Sequence, residues 1–435
     1  MGSCGELYID NYLIYSIKNY VDPLLLSIFQ RSDLKKYERK ISQRRQIYFS
    51  RDSEKNEIER AIEFSNNAKN IKHRLRIMGF SLEKVKREFE IYKNREIETH
   101  TELLKQKWVQ ENPDIKSKKM CNINILKNST FKDFLNASKE ILNKKIPYDI
   151  KIEELPTNAN PLIHFILEFH HGFESLPHLD PRTILFSLLE ISSDNTIVTY
   201  DITELVEGGY VEEADTLFDE TIKTLDYNYE LDEKIVILAE GSTDIRILKE
   251  SLEILFPHVN DLYSFMDFHV SNAQGSASIL INTLKSFIGA GIKNRIIALF
   301  DNDAAAKSAL FGFKNVIMPL NIKIIQYPNI NFAKTYPTLG PSGINNLDIN
   351  GLACSIELYL GKEIITNDKG KFIPIQWKGY DKLINKYQGE ILYKNKIQKQ
   401  FINKIKDCKK NKNHINNYDW EPLKLIFENI FDAFK

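Results

Sequence analysis

The chain has 435 residues, 43% of them hydrophobic and 27% charged, enough for roughly two to four globular domains with real cores. Its 59 Lys and Arg are matched by 59 Asp and Glu, which excludes a global field drawing it to nucleic acid and leaves only local basic patches for that task. The cysteines at 4, 121, 354 and 408 are too scattered for a disulfide framework or a zinc knuckle; with no signal-like start and no apolar run of about 18 residues, the sequence reads as cytosolic.

Residues 7–9 and 13–16 read as a strand pair, followed to about residue 107 by highly charged text. Within it, 53–64 and 82–92 carry apolar residues at spacings of three and four, which predicts amphipathic helices. Residues 111–129, with Pro113 and many Lys and Asn, read as a connection, and 130–143 as a helix. Pro-rich punctuation at 156–161 precedes predicted helices at 162–173 and 180–190, the latter with Asp180 as N-cap and Pro181 in the first turn. A strand at 196–200 and an acidic helix at 211–226 follow. From 234 the text becomes regular: strand 234–239, helix 243–256, strand 263–270, helix 276–288, strand 295–300, helix 303–311 and strand 322–327. Strands alternating with helices of this length predict a parallel sheet with right-handed crossovers. Residues 328–350 read as a long loop, 351–360 as a helix, and the tail from 376 as Lys-dense, ending in an amphipathic helix at 421–434.

The chemistry concentrates at two strand ends. Residues 235–239 and 296–300 are apolar and β-prone without alternation, as in strands buried on both faces. The first stops at Glu240, with Asp244 four positions on; the second stops at Asp301, with Asp303 two positions on. In open α/β sheets the functional crevice lies beyond the carboxyl ends of the strands. Facing carboxylates repel and persist together when a cation compensates them, and their oxygen chemistry suits Mg²⁺ or Mn²⁺. Thr243 and Asp303 can also serve simply as helix N-caps.

Glu240-Gly241-Ser242-Thr243-Asp244 followed by Asp301-Asn302-Asp303 resembles the Toprim domain shared by type IA topoisomerases, bacterial primases, OLD-type nucleases and small ribosomal-RNA-maturing nucleases. The likeness spans about residues 232–330. It implies phosphodiester chemistry, with Glu240 as acid/base or metal-contacting acid, Asp301 and Asp303 holding Mg²⁺, and Asp244 completing the OLD-like form of the first motif. Zinc-binding cysteine pairs, a topoisomerase tyrosine signature and a Gly-x-x-x-x-Gly-Lys-Ser/Thr loop are absent from the sequence. A nuclease acting alone, or serving a separate ATPase or sensor protein, is what remains, with a homodimer open as its assembly and no membrane among its partners.

Flanking segments resemble proteins with a HEPN/Toprim-associated N-terminal domain: Met1-Gly2-Ser3, Arg76-Ile77-Met78-Gly79-Phe80, Asp180-Pro181-Arg182 and Asp201-Ile202-Thr203-Glu204-Leu205-Val206-Glu207-Gly208-Gly209-Tyr210. That resemblance implies a bacterial effector of phage-defence systems that damages nucleic acid. The expected architecture is α/β (α+β overall): a Rossmann-like parallel Toprim sheet flanked by a largely helical N-terminal region and a small C-terminal helical extension. The expected domains are 1–110, 111–228, 229–345 (Toprim) and 346–435 (Lys-rich helical extension).

Further candidates lie outside the two strand ends. By resemblance to OLD-like nucleases, Glu357 is an extra metal ligand and Lys394, or Lys396, would stabilise charge developing on phosphorus. Lys394, Lys396, Lys399, Lys404, Lys406, Lys409, Lys410 and Lys412 crowd one region, interleaved with Tyr387, Tyr393 and Phe401, which predicts a patch that tracks phosphates. Arg95 and His100 fit the Arg-x(4–6)-His pattern of HEPN ribonucleases, although Glu96 and Glu98 would oppose a phosphate. His164, Glu168 and His171 share a helical face that reads as packed core edge rather than a metal site. Three functions therefore compete: a Mg²⁺-dependent Toprim nuclease, a non-catalytic Toprim sensor or scaffold, and a HEPN ribonuclease using Arg95 and His100.

Overall fold

The computed structural model describes residues 3–45, 56–147, 159–167, 173, 180–212, 216–223, 233–266, 276–313 and 316–434. The chain divides into two compact units, Met1–Asp232 and Glu233–Lys435.

The first unit contains strands β1 (Cys4–Ile9), β2 (Tyr12–Lys18), β3 (Leu34–Lys40), β4 (Ile58–Asn67) and β5 (Ile197–Asp201). They form one antiparallel sheet in the order β2-β1-β5-β4-β3. Its helices are α1 (Pro23–Ser27), α2 (Ala68–Met78), α3 (Leu82–Leu104), α4 (Lys107–Gln110), α5 (Pro113–Asn128), α6 (Phe131–Lys144), α7 (Pro161–Leu167), α8 (Pro181–Glu190), α9 (Thr203–Glu207) and α10 (Leu217–Lys223). The N-terminal region is thus largely helical, as expected, and adds a five-stranded antiparallel sheet to its helices.

Two sequence readings are corrected here. Within 53–64, residues 58–64 belong to β4, not to a helix. Glu59 and Glu63 look solvent-facing in sequence but are buried, because Arg39 reaches Glu59 at 2.6 Å and Arg45 reaches Glu63 at 2.7 Å. Burial of paired carboxylates erased the alternation that marks a strand. Residues 113–128, read as a connection, form α5; Pro113 occupies its first turn, where the missing N–H costs nothing.

Two of the segments that carried the N-terminal resemblance, 76–80 and 180–182, pack together. Gly79 ends α2 in the left-handed region (φ 104°), and the Phe80 N–H then donates back to the Leu75 carbonyl. Phe80 lies beneath the buried Arg182 guanidinium, 5.3 Å from its ring centre, and Arg182 pairs with Asp180 at 2.8 Å. Asp201, Glu204 and Glu207 share one role: Arg39 pairs with Asp201 at 2.9 Å, and Arg44 pairs with Glu204 and Glu207 at 2.9 and 2.8 Å.

In the second unit, β6 (Ile235–Ala239), β7 (Tyr263–Phe265), β8 (Ile296–Phe300) and β10 (Ile322–Gln326) form a parallel sheet in the order β10-β8-β6-β7. Helices α11 (Ser242–Leu255), α12 (Ala277–Ala290) and α13 (Ala304–Phe311) alternate with the strands as expected. Leu238, Ala298 and Phe300 pack with Leu280 and Leu284 of α12 in an apolar core. The described part of the predicted strand 263–270 is β7; 267–270 lie outside the described residues.

The remainder departs from the sequence reading. The expected loop 328–350 contains a hairpin of β11 (Tyr336–Gly340) and β12 (Gly343–Leu347), joined in a second sheet by β14 (Ile375–Asp381) and β15 (Lys386–Ile391), in the order β12-β11-β14-β15. The expected helix 351–360 is a short strand, β13 (Ala353–Cys354), and a single turn at Ile356–Tyr359. β13 pairs antiparallel with β9 (Asn302–Asp303). Only α14 (Lys394–Lys410) and α15 (Glu421–Phe431) match the expected helical extension. All four cysteines are free, and among the described residues no helix is long and apolar enough to cross a membrane.

Candidate active site

The register of the parallel sheet sets the first two acids side by side. Ala239 of β6 lies opposite Leu299 of β8, so Glu240 leaves its strand at the level of Phe300, one residue before Asp301 leaves the neighbouring strand. The Asp301 backbone N–H donates to Glu240 Oε1 at 2.9 Å. Asp244 sits in the first turn of α11, where its Oδ2 accepts the Gly241 N–H at 3.0 Å. Asp303 caps α13, accepting the Ala306 N–H at 2.8 Å, so the N-cap reading of that residue is fulfilled while it also faces the other acids.

Glu357 and Lys394 arrive from far along the chain. The β9–β13 ladder folds the segment after β13 back over Asp303, and Glu357 follows in the next turn, fully buried. Gly351 makes the return: its φ is +73°, its N–H donates to the Asn302 carbonyl at 3.0 Å, and a Cβ there would lie 1.7 Å from Lys307 Nζ. Lys394 opens α14 directly after Tyr393, a non-glycine residue held at φ 60°, and its Nζ is 3.4 Å from Glu357 Oε1. Ser355 Oγ and Gln398 Nε2 donate to the two Glu357 oxygens at 2.6 and 2.7 Å.

The result is the Lys394 ammonium among five carboxylates, with the Lys307 ammonium also acting on Asp303. Burial, and then the neighbouring charges of Asp303 and Asp244, push Glu240 up to about 7; burial and Glu357 push Asp244 up to about 7. Asp301 is raised well above the usual carboxylate range by burial and by Asp244, Glu240, Asp303 and Glu357 together, and Asp303 is raised mainly by burial. Burial lowers Lys394, but Glu357, Asp301 and Asp244 outweigh it and hold the ammonium charged. Tyr327, just beyond β10, is buried against Asp244, Asp301 and Glu240 and stays a neutral phenol. Sequence reasoning missed Tyr327, Ser355 and Gln398, none of which has a local motif.

Asp301 Oδ1 is buried with no hydrogen-bond partner. Such an atom costs free energy unless something compensates it, and an all-oxygen, net-negative surround is donor chemistry that fits a hard divalent cation. Among the described residues, however, no group of three or more His, Cys, Asp or Glu forms a ready-made metal cage. The donor type fits, while the side chains do not stand in coordinating positions.

The other candidates separate. Arg95 is exposed on α3 while His100 is buried, and five residues along a helix turn them about 140° apart. Both His100 ring nitrogens lack partners, and burial, with Lys119 nearby, pushes its pKa down to about 4, so the ring is neutral. That arrangement does not assemble a ribonuclease pair. His164 lies on α7 with Nδ1 buried and unpartnered, whereas Glu168 and His171 lie outside the described residues. Of the Lys-rich patch, Lys404 is buried, donating to the Leu360 and Asp419 carbonyls and to Glu363 and lying 3.9 Å from the Trp420 ring centre. Phe401 is likewise buried, against Trp420. These two build the α14–α15 contact and are unavailable to a phosphate strand; Lys396, Lys399, Lys406, Lys409, Lys410 and Lys412 are exposed.

Fold and site together define an α+β protein of two units, one an antiparallel sheet with helices, the other a parallel sheet with acids at its strand ends. Residues 1–226 match the family model described as HEPN/Toprim N-terminal domain 1, more than half of the chain, and the protein belongs to that family. No curated protein and no solved structure matches the chain.

Proposed function

We propose that the protein is a divalent-metal-dependent nuclease whose second unit is an OLD-like Toprim catalytic domain, spanning about residues 229–345 with Glu357 and Lys394 added from beyond it. The observation that carries this reading is Asp301: a buried carboxylate with an unpartnered oxygen, at a parallel strand end, among four further carboxylates and Lys394. Glu240, Asp301, Asp303 and Glu357 would hold the ion. When bound, Mg²⁺ or Mn²⁺ would supply Lewis-acid polarisation of a phosphate oxygen.

The chain's own residues supply the rest. Glu240, at the strand end beside Asp301, accepts the proton of the attacking water. The water oxygen bonds to phosphorus, the opposite P–O ester bond breaks, the leaving oxygen takes a proton from solvent, and Glu240 returns its own proton to solvent. Lys394, kept charged by Glu357, faces the negative charge that grows on the phosphoryl oxygens. Asp244 fixes the Gly241 turn and with it the position of Glu240. Membership of the HEPN/Toprim family supports a role as a toxic effector in phage defence, with nucleic acid as substrate.

The test is cleavage of labelled DNA, RNA and transfer RNA with Mg²⁺ or Mn²⁺. Glu240→Gln and Asp301→Asn should each lower the rate by ~10²-fold or more while circular dichroism stays unchanged. Wild-type protein that cuts none of these with any divalent ion, or an Asp301→Asn variant that cuts normally, overturns the proposal.

A further inference from the structure

A groove of about 770 Å³ runs between α11 and α14. It begins at the acid site. Ser242 and Thr243, which line it, sit between Glu240 and Asp244, while Asn395 and Gln398 follow Lys394 on the facing helix. Its apolar lining is Ile245, Phe265 and Ile402. Lys409 and Glu253, bridged at 3.1 Å, join α14 to α11. Arg246 stands 4.0 Å from Glu250 on its own helix, so its charge is locally matched. Lys249 and Lys399 are exposed lining cations that take part in no ion pair among the described residues.

From this geometry we infer that the groove seats an unpaired nucleic-acid strand leading to the acids, a statement that rests on the nuclease reading above. Free lysines along the groove match a phosphate backbone. The apolar lining matches the face of a base, and only an unpaired strand can turn a base onto it, because a duplex keeps its bases stacked inside. The volume is that of a cleft for one ligand of a few rings, about 300–1,000 Å³, rather than of a trough for a double helix. The substrate is therefore single-stranded where it meets the protein.

The test measures binding of short labelled single strands, DNA and RNA, and of the matched DNA duplex by fluorescence anisotropy. It uses the full chain carrying Asp301→Asn, without divalent ions. Single strands should bind about tenfold or more tighter than duplex. Adding Lys249→Glu and Lys399→Glu should weaken single-strand binding about tenfold and reduce the slope of log affinity against log salt by about 1.4, or 0.7 per lost phosphate contact. Lys285→Glu, exposed on α12 and outside the groove lining, should change neither. If charge reversal disturbs the melting curve, the pair Lys249→Gln and Lys399→Gln gives the same reading. Duplex binding as tight as single-strand binding, or double variants that bind like the parent, overturns the inference. Wild-type protein that cleaves nothing while the double variant still loses single-strand binding would sink the nuclease and keep the groove. Cleavage by the double variant at an unchanged KM would do the reverse.

Discussion

Glu6, on β1, shows how much a single buried acid can weigh. It is buried with Oε1 unpartnered, its other oxygen takes the Tyr8 hydroxyl, and burial followed by Glu204 and Asp201 pushes it up to about 7. Below pH 4.5 the group is protonated in folded and unfolded chain alike and contributes no pH dependence. Between pH 4.5 and 7 the unfolded chain ionises first, so stability falls as pH rises, by roughly 3 kcal/mol in all. Glu6→Gln keeps an acceptor for Tyr8 and removes the titration. Its urea midpoint should equal that of the wild type near pH 4 and exceed it at pH 8; equal midpoints at both would mean that Glu6 ionises normally in the fold. Arg39 is the opposite case. Its two carboxylates each have a second arginine, Arg44 for Glu59 and Arg45, at 3.6 Å, for Asp201, so losing it weakens the pairing of buried acids without leaving either one alone.

Among the elements, β9 and β13 have two residues each, yet they determine whether Glu357 reaches the acids. Gly351 is the hinge of that return, and any side chain there is strained by the positive φ and displaces the Lys307 ammonium. Gly351→Ala should lower cleavage at least ~10²-fold through misplacement of Glu357 and Lys394, although the parallel sheet does not contain it; near-normal turnover would show that the return tolerates a Cβ. This element was not legible in sequence, because a two-residue ladder leaves no periodicity. The parallel strands were legible for the opposite reason: 235–239 and 296–300 are buried on both faces and contain nothing polar. β4 was hidden because Glu59 and Glu63 are polar letters in buried places, and α5 because only Asn122 and Leu126 of its length are buried. The acids at the strand ends could be read directly. Tyr327 and Gln398 could not, since their relation to Asp301 and Glu357 exists only after folding.

For the whole molecule, the division at Asp232 and Glu233 makes the thermal behaviour informative. All five site carboxylates lie in the second unit; Glu240 and Asp244 are pushed up to about 7, and burial with the neighbouring acids raises Asp301 well above the usual carboxylate range. Ionising them weakens that unit as pH rises, whereas a divalent ion binds the ionised form. Calorimetry should therefore reveal a transition that Mg²⁺ or Mn²⁺ raises, more at pH 8 than at pH 6, and a transition of the first unit that neither ion moves. Asp301→Asn should abolish the shift and, without metal, melt no lower than the wild type, since it removes a buried charge among like charges. A Mg²⁺ shift that survives Asp301→Asn would place the ion elsewhere.

The sheet order β2-β1-β5-β4-β3 also bears on how the protein is made. β5 lies in the middle of that sheet, flanked by β1 and β4, yet β4 ends at Asn67 and β5 at Asp201. A ribosome adding about 5–20 residues per second leaves the inner edges of two hairpins open for on the order of ten seconds before the strand that joins them emerges. During that interval the nascent chain offers two unpaired edges to any other strand nearby. Closure of the first unit is therefore a late, long-range event in synthesis, and crowded or cold translation is where this protein is most exposed to mispairing.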